Sequence, residues 1–495
     1  MAISSTVFND IPAALRIPGW FIEFDNRLAG RAVFQGKLLV LGQMLANGSA
    51  APLMPVRVNR ADQGDELFGR GSMLAEQLRA IKGVDLYTEV WALPLQDGVS
   101  AVKAVGNIQV TTGPTESRPL ALYIAGYRIW CDMNAGASKE STAQAIVAAI
   151  TADARVPVTA AIDQATPTKV VLTCRWGGET GNSISLGDCL KGEERTSGLG
   201  LNYVEPAGGA VNPDLVAAVA RLGDEWWNWI CLPYSDASSL EVIEVELASR
   251  YGPMRQKGGR AFGAFRGNHS DTGTLGRGRN SPHVSIMGMG AAFSAPWVWA
   301  AINAIVSAKA LGIDPARPLQ RLALPGLIGP REAKRWDDAE RNLLLFDGIS
   351  TYTVATDGTV LIERQITTYQ ENAAGIADDS YLDINTPETL ERIRYETISL
   401  FARKYPRHKL ADDADRLMYD PSQPVMTPKV AKAELLGLYK DVLMRDRAWV
   451  RDYAGYKDSL QASIDPDDPS RLNVIDQPML IGQYRVHAQQ TQFRR

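Results

Sequence analysis

Both ends of this chain have sequences typical of β-strands that lack a partner inside their own chain. The N-terminal pattern covers residues 11–25, where Pro12 and Pro18 rule out a regular helix, because proline has no backbone donor and restricts the residue before it. Alternate positions of a strand share one face. The apolar residues on that face are Trp20, Ile22 and Phe24.

The C-terminal pattern covers residues 480–489, where apolar or small residues alternate with Gln483, Arg485, His487 and Gln489. Its apolar or small positions are Leu480, Gly482, Tyr484, Val486 and Ala488. This period of two predicts a strand that reaches about 30 Å. A bare strand leaves backbone donors and acceptors open, so it must pair with another strand. If that strand belongs to another copy of the protein, the chain is the subunit of a polymer.

Composition places the chain among ordinary multidomain globular proteins. Its 495 residues predict two to four domains at roughly 100–200 residues each. The 52 basic and 56 acidic residues give a net charge of −4. Because nucleic-acid-binding domains normally carry a basic excess, this balance gives no electrostatic case for direct nucleic-acid binding.

Two further features describe the compartment. The four cysteines, which form no C-x-x-C pair, predict free thiols: Cys131, Cys174, Cys189 and Cys231. No signal peptide is expected at the N-terminus, and the uncharged run from Ala291 to Ala308 predicts a buried helix rather than a membrane span.

The order of strand and helix patterns predicts a discontinuous α/β core with an α+β domain inserted into it. A single helix is predicted to carry Leu67 and Leu74 on one face, Ser141 is predicted to cap a helix in the insertion, and residues 465–469 read as a polar linker. The predicted divisions are an N-terminal arm (1–30), core (31–97), inserted domain (98–210), core (211–346), C-terminal α+β domain (347–470) and C-terminal arm (471–495).

A hairpin is predicted at the start of the C-terminal domain. Two β-like runs, 350–355 and 359–367, flank Asp357-Gly358, a favoured two-residue turn. We predict that this hairpin receives the terminal arms. Its strand residues are Tyr352, Val354, Val360, Ile362 and Ile366.

Catalytic and metal-binding motifs are scarce. His269-Ser270-Asp271 contains the residue types of a hydrolytic triad, but triads assemble from distant positions, and no G-x-S-x-G elbow is present. We interpret that segment as a polar loop, and the glycine-rich segment 273–279 as a flexible surface loop or an inter-subunit contact. No catalytic residue, cofactor-binding residue or metal ligand is assigned.

The chain resembles the tail sheath proteins of contractile bacteriophages, most closely the Mu-like branch. The resemblance spans essentially the whole chain, and the order of its segments is more specific than any one of them. The segments that carry it are 17–26 (IPGWFIEFDN), 66–74 (ELFGRGSML), 89–95 (EVWALPL), 122–126 (LYIAG), 180–184 (TGNSI) and 250–254 (RYGPM).

The resemblance implies a subtilisin-like shape for the α/β core, without an assignable triad here. It also implies stacked hexameric rings around a tail tube, and terminal arms that add strands to neighbouring subunits. The implied partners are copies of the chain, the tail tube protein, and baseplate and tail terminator proteins. The implied location is the virion tail, after assembly in the host cytoplasm.

The sequence therefore favours a structural, non-enzymatic subunit of a contractile phage tail sheath, with no cofactor, no bound nucleic acid and no membrane insertion. Two alternatives remain open at this point. One is the sheath of a bacteriocin-like or injection device, and the other is an α/β hydrolase that uses one of the serines.

Overall fold

The computed structural model describes residues 36–416, 418–420 and 422–494. Within that part, the chain forms two compact units. Unit 1 contains the described residues up to 313 together with 320–379, and unit 2 contains 314–319 and the described residues from 380 onward. The predicted N-terminal arm, with Trp20, Ile22 and Phe24, lies outside the described residues.

The first core segment of unit 1 forms the predicted strand–helix–strand unit, but with two helices instead of one. Gly69 and Gly71 adopt φ angles of 87° and 82°, which favour glycine and end the first helix. Ser72 then caps the second helix by accepting a hydrogen bond from the Ala75 N–H. The elements are β1 (Lys37–Gln43), β2 (Val56–Val58), α1 (Gln63–Phe68), α2 (Met73–Val84) and β3 (Glu89–Leu95).

The inserted segment folds into two small antiparallel sheets and one helix. Ser138 caps this helix by accepting from the Ser141 N–H, so the predicted cap at Ser141 is wrong by one turn. The elements are β4 (Val105–Thr112), β5 (Leu120–Ile124), β6 (Tyr127–Cys131), α3 (Lys139–Ala152), β7 (Val158–Ile162), β8 (Lys169–Cys174), β9 (Leu186–Asp188) and β10 (Gly200–Ala207). The sheet orders are β10-β4-β8-β7 and β6-β5-β9.

The second core segment completes a six-stranded sheet with the order β13-β12-β11-β1-β3-β2. Its strands run parallel except for the edge strand β2, which pairs antiparallel with β3. The elements are α4 (Leu215–Ala220), β11 (Trp229–Cys231), α5 (Ala237–Tyr251), β12 (Arg260–Phe265), α6 (His269–Arg277), β13 (Val284–Gly288), α7 (Pro296–Ile313) and α8 (Asp338–Phe346).

Helix α7 confirms the buried helix that the uncharged run predicts. Trp297 and Trp299 are fully buried, and Trp297 packs edge-on against Trp176 of the insertion with ring centroids 5.2 Å apart. The helix is long and apolar enough to cross a membrane by length and composition, but 67% of it is buried inside the protein. Such burial is typical of the core helix of a globular unit.

The predicted hairpin forms, but it belongs to unit 1. Its strands are β14 (Thr351–Val354) and β15 (Val360–Arg364). Ser350 forms a parallel bridge with Met287 of β13, so the hairpin continues from the edge of the core sheet. The predicted domain boundary at 347 therefore falls inside unit 1, and unit 2, which already contains residues 314–319, resumes at Ser380.

Unit 2 is a small α+β unit with its own apolar core. Leu435, Tyr439, Leu443 and Tyr456 are buried together in that core. The elements are α9 (Asn385–Lys404), β16 (Lys409–Leu410), α10 (Asp413–Arg416), β17 (Val425–Met426), α11 (Pro428–Gly437), β18 (Val450–Arg451), α12 (Tyr453–Ser459), β19 (Gln461–Ile464), β20 (Leu472–Ile475) and β21 (Met479–Leu480). A π-helix over Leu438–Asp446 follows α11.

Candidate assembly interface

The C-terminal strand is much shorter than the sequence predicts. Only Met479 and Leu480 form a strand, and they pair with Arg451 and Val450 of the same chain. The prediction that Leu480 lacks a partner in its own chain is therefore wrong. Ile481 donates the last backbone hydrogen bond along the chain between described residues, to the Trp449 carbonyl at 2.9 Å.

Beyond Ile481 lies an irregular segment, residues 482–494, that we call the C-terminal extension. No strand is assigned in this segment. The predicted arm residues Tyr484 and Val486 lie in it with exposed fractions of 70% and 82%. Since both strands after residue 470 pair inside unit 2, the predicted C-terminal arm begins near 482 rather than at 471.

The extension contacts its own unit through alternate residues. The Gln483 amide donates to the Ala316 carbonyl, and Arg485 forms an ion pair with Asp383. Tyr484 and Val486, which lie between and after these residues, point to solvent. An alternation with period two is the pattern of an extended chain, so Gln483 and Arg485 face the unit, and the side chains of Tyr484 and Val486 are exposed.

The predicted receiving residues lie together on β14 and β15 or just beyond them. Tyr352, Val360, Ile362 and Ile366 are buried, and Val354 is partly exposed. The turn forms as predicted at Asp357-Gly358. These side chains therefore belong to the packed interior of unit 1.

The edges of this hairpin are largely occupied by its own chain. On the β15 side, Ile362 N–H donates to the Leu322 carbonyl, and Leu324 N–H donates to the Val360 carbonyl. On the β14 side, Ser350 exchanges backbone hydrogen bonds with Ile286 and Gly288. A strand from another molecule would find only part of the β14 edge open.

A second hairpin, β19–β20, lies in unit 2 and was missed by sequence reasoning. Residues 465–469, which the sequence suggested to be a linker, form the connection between its strands. Asp465 N–H donates to the Arg471 carbonyl, and the Asp465 carboxylate accepts from Asn473 and from two loop N–H groups. These hydrogen bonds hold the pKa of Asp465 below its usual value.

Both outer edges of the β19–β20 hairpin lack a strand among the described residues. The four pairs of its register run from Gln461↔Ile475 to Ile464↔Leu472. Val474 and Ile475 are 39% and 63% exposed. The alternation of residues 472–475 and the Asp-Pro-rich turn were the available signals, but the strands are only four residues long.

The histidine contacts give no hydrolytic arrangement in the described part of the chain. His269 Nε2 contacts the Glu340 carbonyl, and His283 Nδ1 contacts Arg260. His408 packs on Tyr405, and His487 contacts Tyr484 and Gln489. No cluster of three or more His, Cys, Asp or Glu side chains within the described ranges is placed to hold a metal ion.

The segments interpreted as loops around His269 are in fact helical. Residues 269–277 form α6, and Asn268 caps it by accepting from the Asp271 N–H. Gly273 and Gly276 let the helix approach the turn at Asp347 closely: a Cβ at Gly276 would lie 2.0 Å from the Asp347 carbonyl oxygen. The glycines therefore serve packing rather than flexibility.

This close approach predicts a large effect on stability for one glycine of the segment and a small effect for another. Gly276→Ala is expected to lower the free energy of unfolding by about 1–3 kcal/mol, since the backbone at Asp347 must move. Gly278→Ala, whose nearest neighbours are at 3.5 Å, is expected to change it by less than about 0.5 kcal/mol. Denaturant unfolding measures both, and equal effects would contradict the packing role.

Comparison with known proteins identifies the family. A model of the phage tail sheath protein central domain matches residues 208–368. The Mu-like prophage FluMu tail sheath protein of Haemophilus influenzae is 39% identical over 492 residues, which is 99% of each chain.

Solved structures of low sequence identity are also similar. The sheath tail protein of Desulfitobacterium hafniense is 13% identical with a TM-score of 0.48, covering 94% of this chain and 100% of that one. The anti-feeding prophage helical sheath in its contracted state is 11% identical with a TM-score of 0.47, covering 97% and 99%. The full-length sequence relationship with the Haemophilus influenzae protein carries the assignment, and it shows that this chain belongs to the phage tail sheath family.

Proposed function

We propose that this protein is a structural subunit of a contractile phage tail sheath, which polymerises as stacked hexameric rings around the tail tube. Contraction of the sheath would drive the tube through the host envelope. The 39% sequence identity with a Mu-like prophage tail sheath protein, over 99% of both chains, supports this proposal. The proposed partners are other copies of the chain, the tail tube, and baseplate and terminator proteins, after assembly in the host cytoplasm.

The proposed contact between subunits is strand addition, in which backbone hydrogen bonds supply the pairing and side chains fix the register. The C-terminal extension offers an exposed apolar flank at Tyr484 and Val486. The hairpin β19–β20 offers two outer edges, enough for one strand on each side. We propose that the extension of one subunit and the N-terminal arm of another occupy these edges.

The hairpin that the sequence predicted to receive the arms, β14–β15, is the weaker candidate. Its β15 edge already pairs with residues 322–324, and its β14 edge begins against β13. Among the described strand residues of β14, only Tyr352 and Val354 have outward-pointing backbone N–H and C=O groups that a strand of another subunit could reach. The two hairpins can be distinguished by blocking one edge at a time.

Head-to-tail contacts join different patches of each subunit, so repetition yields rings or helical filaments. We propose that contraction changes the packing between rigid bodies while the paired strands persist. The parallel core sheet supports a subtilisin-like shape for the core. We do not propose hydrolase activity. The inserted segment is proposed to face outward and to contribute bulk.

Electron microscopy of the purified chain tests the proposal. The full-length protein is expected to form tubes or rings in negative stain and to sediment as a polymer at high concentration. A protein that stays monomeric under all solution conditions would overturn the proposed assembly. Injection devices built from the same subunit would give the same tubes, and neighbouring capsid and terminase genes would identify a phage.

A further inference from the structure

The base of the C-terminal extension is held on its own subunit by two polar contacts. Arg485 Nη2 lies 2.9 Å from Asp383 Oδ1, and the two side chains are 11% and 19% exposed. Gln483 Nε2 donates to the Ala316 carbonyl at 3.3 Å, and Arg485 also donates to the Gln483 side chain. Each contact therefore joins the extension to a residue more than 100 positions earlier in the chain.

The surface that receives these contacts is rigidly built. The Asn385 amide, which is buried, donates to the carbonyls of Pro315 and Arg317 at 2.8 Å each. These bonds fix the segment around Ala316 against the start of α9. Asp383 precedes that helix by two residues, so both partners of the extension lie on the same structural support.

These contacts determine which flank of the extension is available. Side chains of an extended chain alternate between two opposite faces, while its backbone donors and acceptors point sideways. With Gln483 and Arg485 on the subunit, Tyr484 and Val486 face away from it and are 70% and 82% exposed.

We propose that Arg485, through its ion pair with Asp383, is a positioning residue that holds the base of the extension and presents Tyr484 and Val486 to a second copy of the chain. This inference rests on the proposed assembly through the extension. Because a largely buried ion pair is less screened than an exposed one, it can hold a chain end in place before binding. Such pre-organisation lowers the entropy lost when the two copies join.

The experiment measures the critical concentration for polymerisation by sedimentation. Arg485→Gln and Asp383→Asn are each expected to raise it about tenfold, which corresponds to about 1.4 kcal/mol per contact. The exchanged pair, Arg485→Asp with Asp383→Arg, is expected to recover most of the loss. Arg445→Gln is the matched control, since it breaks an exposed ion pair with Asp441 in the same unit.

Thermal unfolding of each variant separates positioning from folding. We expect unchanged unfolding temperatures for Arg485→Gln, because the extension is peripheral to the unit 2 core. Full polymerisation of Arg485→Gln, or failure of the exchanged pair to recover assembly in a folded protein, would overturn the positioning role. If the wild-type protein stays monomeric, or if the chain without the extension polymerises normally, the proposed assembly through that segment itself fails. These results differ from a failure of the positioning role alone, in which the wild-type protein polymerises and the truncated chain does not.

Discussion

Removal of residues 482–495 is expected to abolish polymerisation and to leave a folded subunit. The extension holds the exposed apolar flank at Tyr484 and Val486 and has no strand partner among the described residues. A cut at 482 preserves β21, which pairs with β18 and continues the core of unit 2. A cut after Asp476 would remove that strand and would confuse loss of assembly with loss of folding.

The expected size of this effect is large. Losing one strand contact per subunit should raise the critical concentration at least roughly 100-fold, or by about 2.7 kcal/mol. Sedimentation velocity and negative-stain microscopy measure polymer content, and thermal unfolding reports the fold. Tubes formed by the truncated protein at wild-type concentrations would show that the extension is not an assembly contact.

A pair of substitutions in the extension tests the apolar flank alone. Tyr484→Ser with Val486→Ser is expected to reproduce most of the truncation. Gln490→Ser with Gln492→Ser is the matched control, because it changes two exposed polar positions of the same segment. An equal loss of polymerisation in both variants would mean that chain length, and not the apolar flank, determines binding.

The substitution Val474→Pro is expected to block assembly, because it removes a backbone donor from the outer edge of β20. Asp465 N–H bonds to the Arg471 carbonyl, and bonded and non-bonded pairs alternate along an antiparallel ladder. The pair Ala462↔Val474 is therefore non-bonded, and the N–H of Val474 points away from β19. Proline removes that donor without breaking a bond inside the hairpin.

The equivalent change in the other hairpin provides the discriminating control. Ala355 N–H bonds to the Thr359 carbonyl, so the Val354 N–H points outward from β14 by the same alternation. Val354→Pro is expected to assemble normally, and Val474→Thr, which keeps the donor, should assemble as well. Assembly that is lost in Val354→Pro and retained in Val474→Pro would make β14–β15 the receiving hairpin.

Local sequence signals predicted elements whose partners are close in the chain or whose burial is complete. The helix α7, the Asp357-Gly358 turn and the parallel arrangement of the core strands are confirmed, because each follows from apolar continuity, turn chemistry or strand–helix alternation. Local signals failed where glycines serve packing, as in α6. In the sequence alone, a glycine needed for close packing against Asp347 cannot be distinguished from a glycine that gives flexibility.

The sequence by itself determined the family, the α/β core and the two-sided pattern of the C-terminal end. Only the tertiary structure decided that the hairpin at Tyr352 belongs to unit 1, that residues 465–469 join two strands, and that the extension starts after Ile481. The reason is physical: periodicity states which side of a strand is apolar, whereas its pairing depends on backbone groups that distant segments already occupy or leave open.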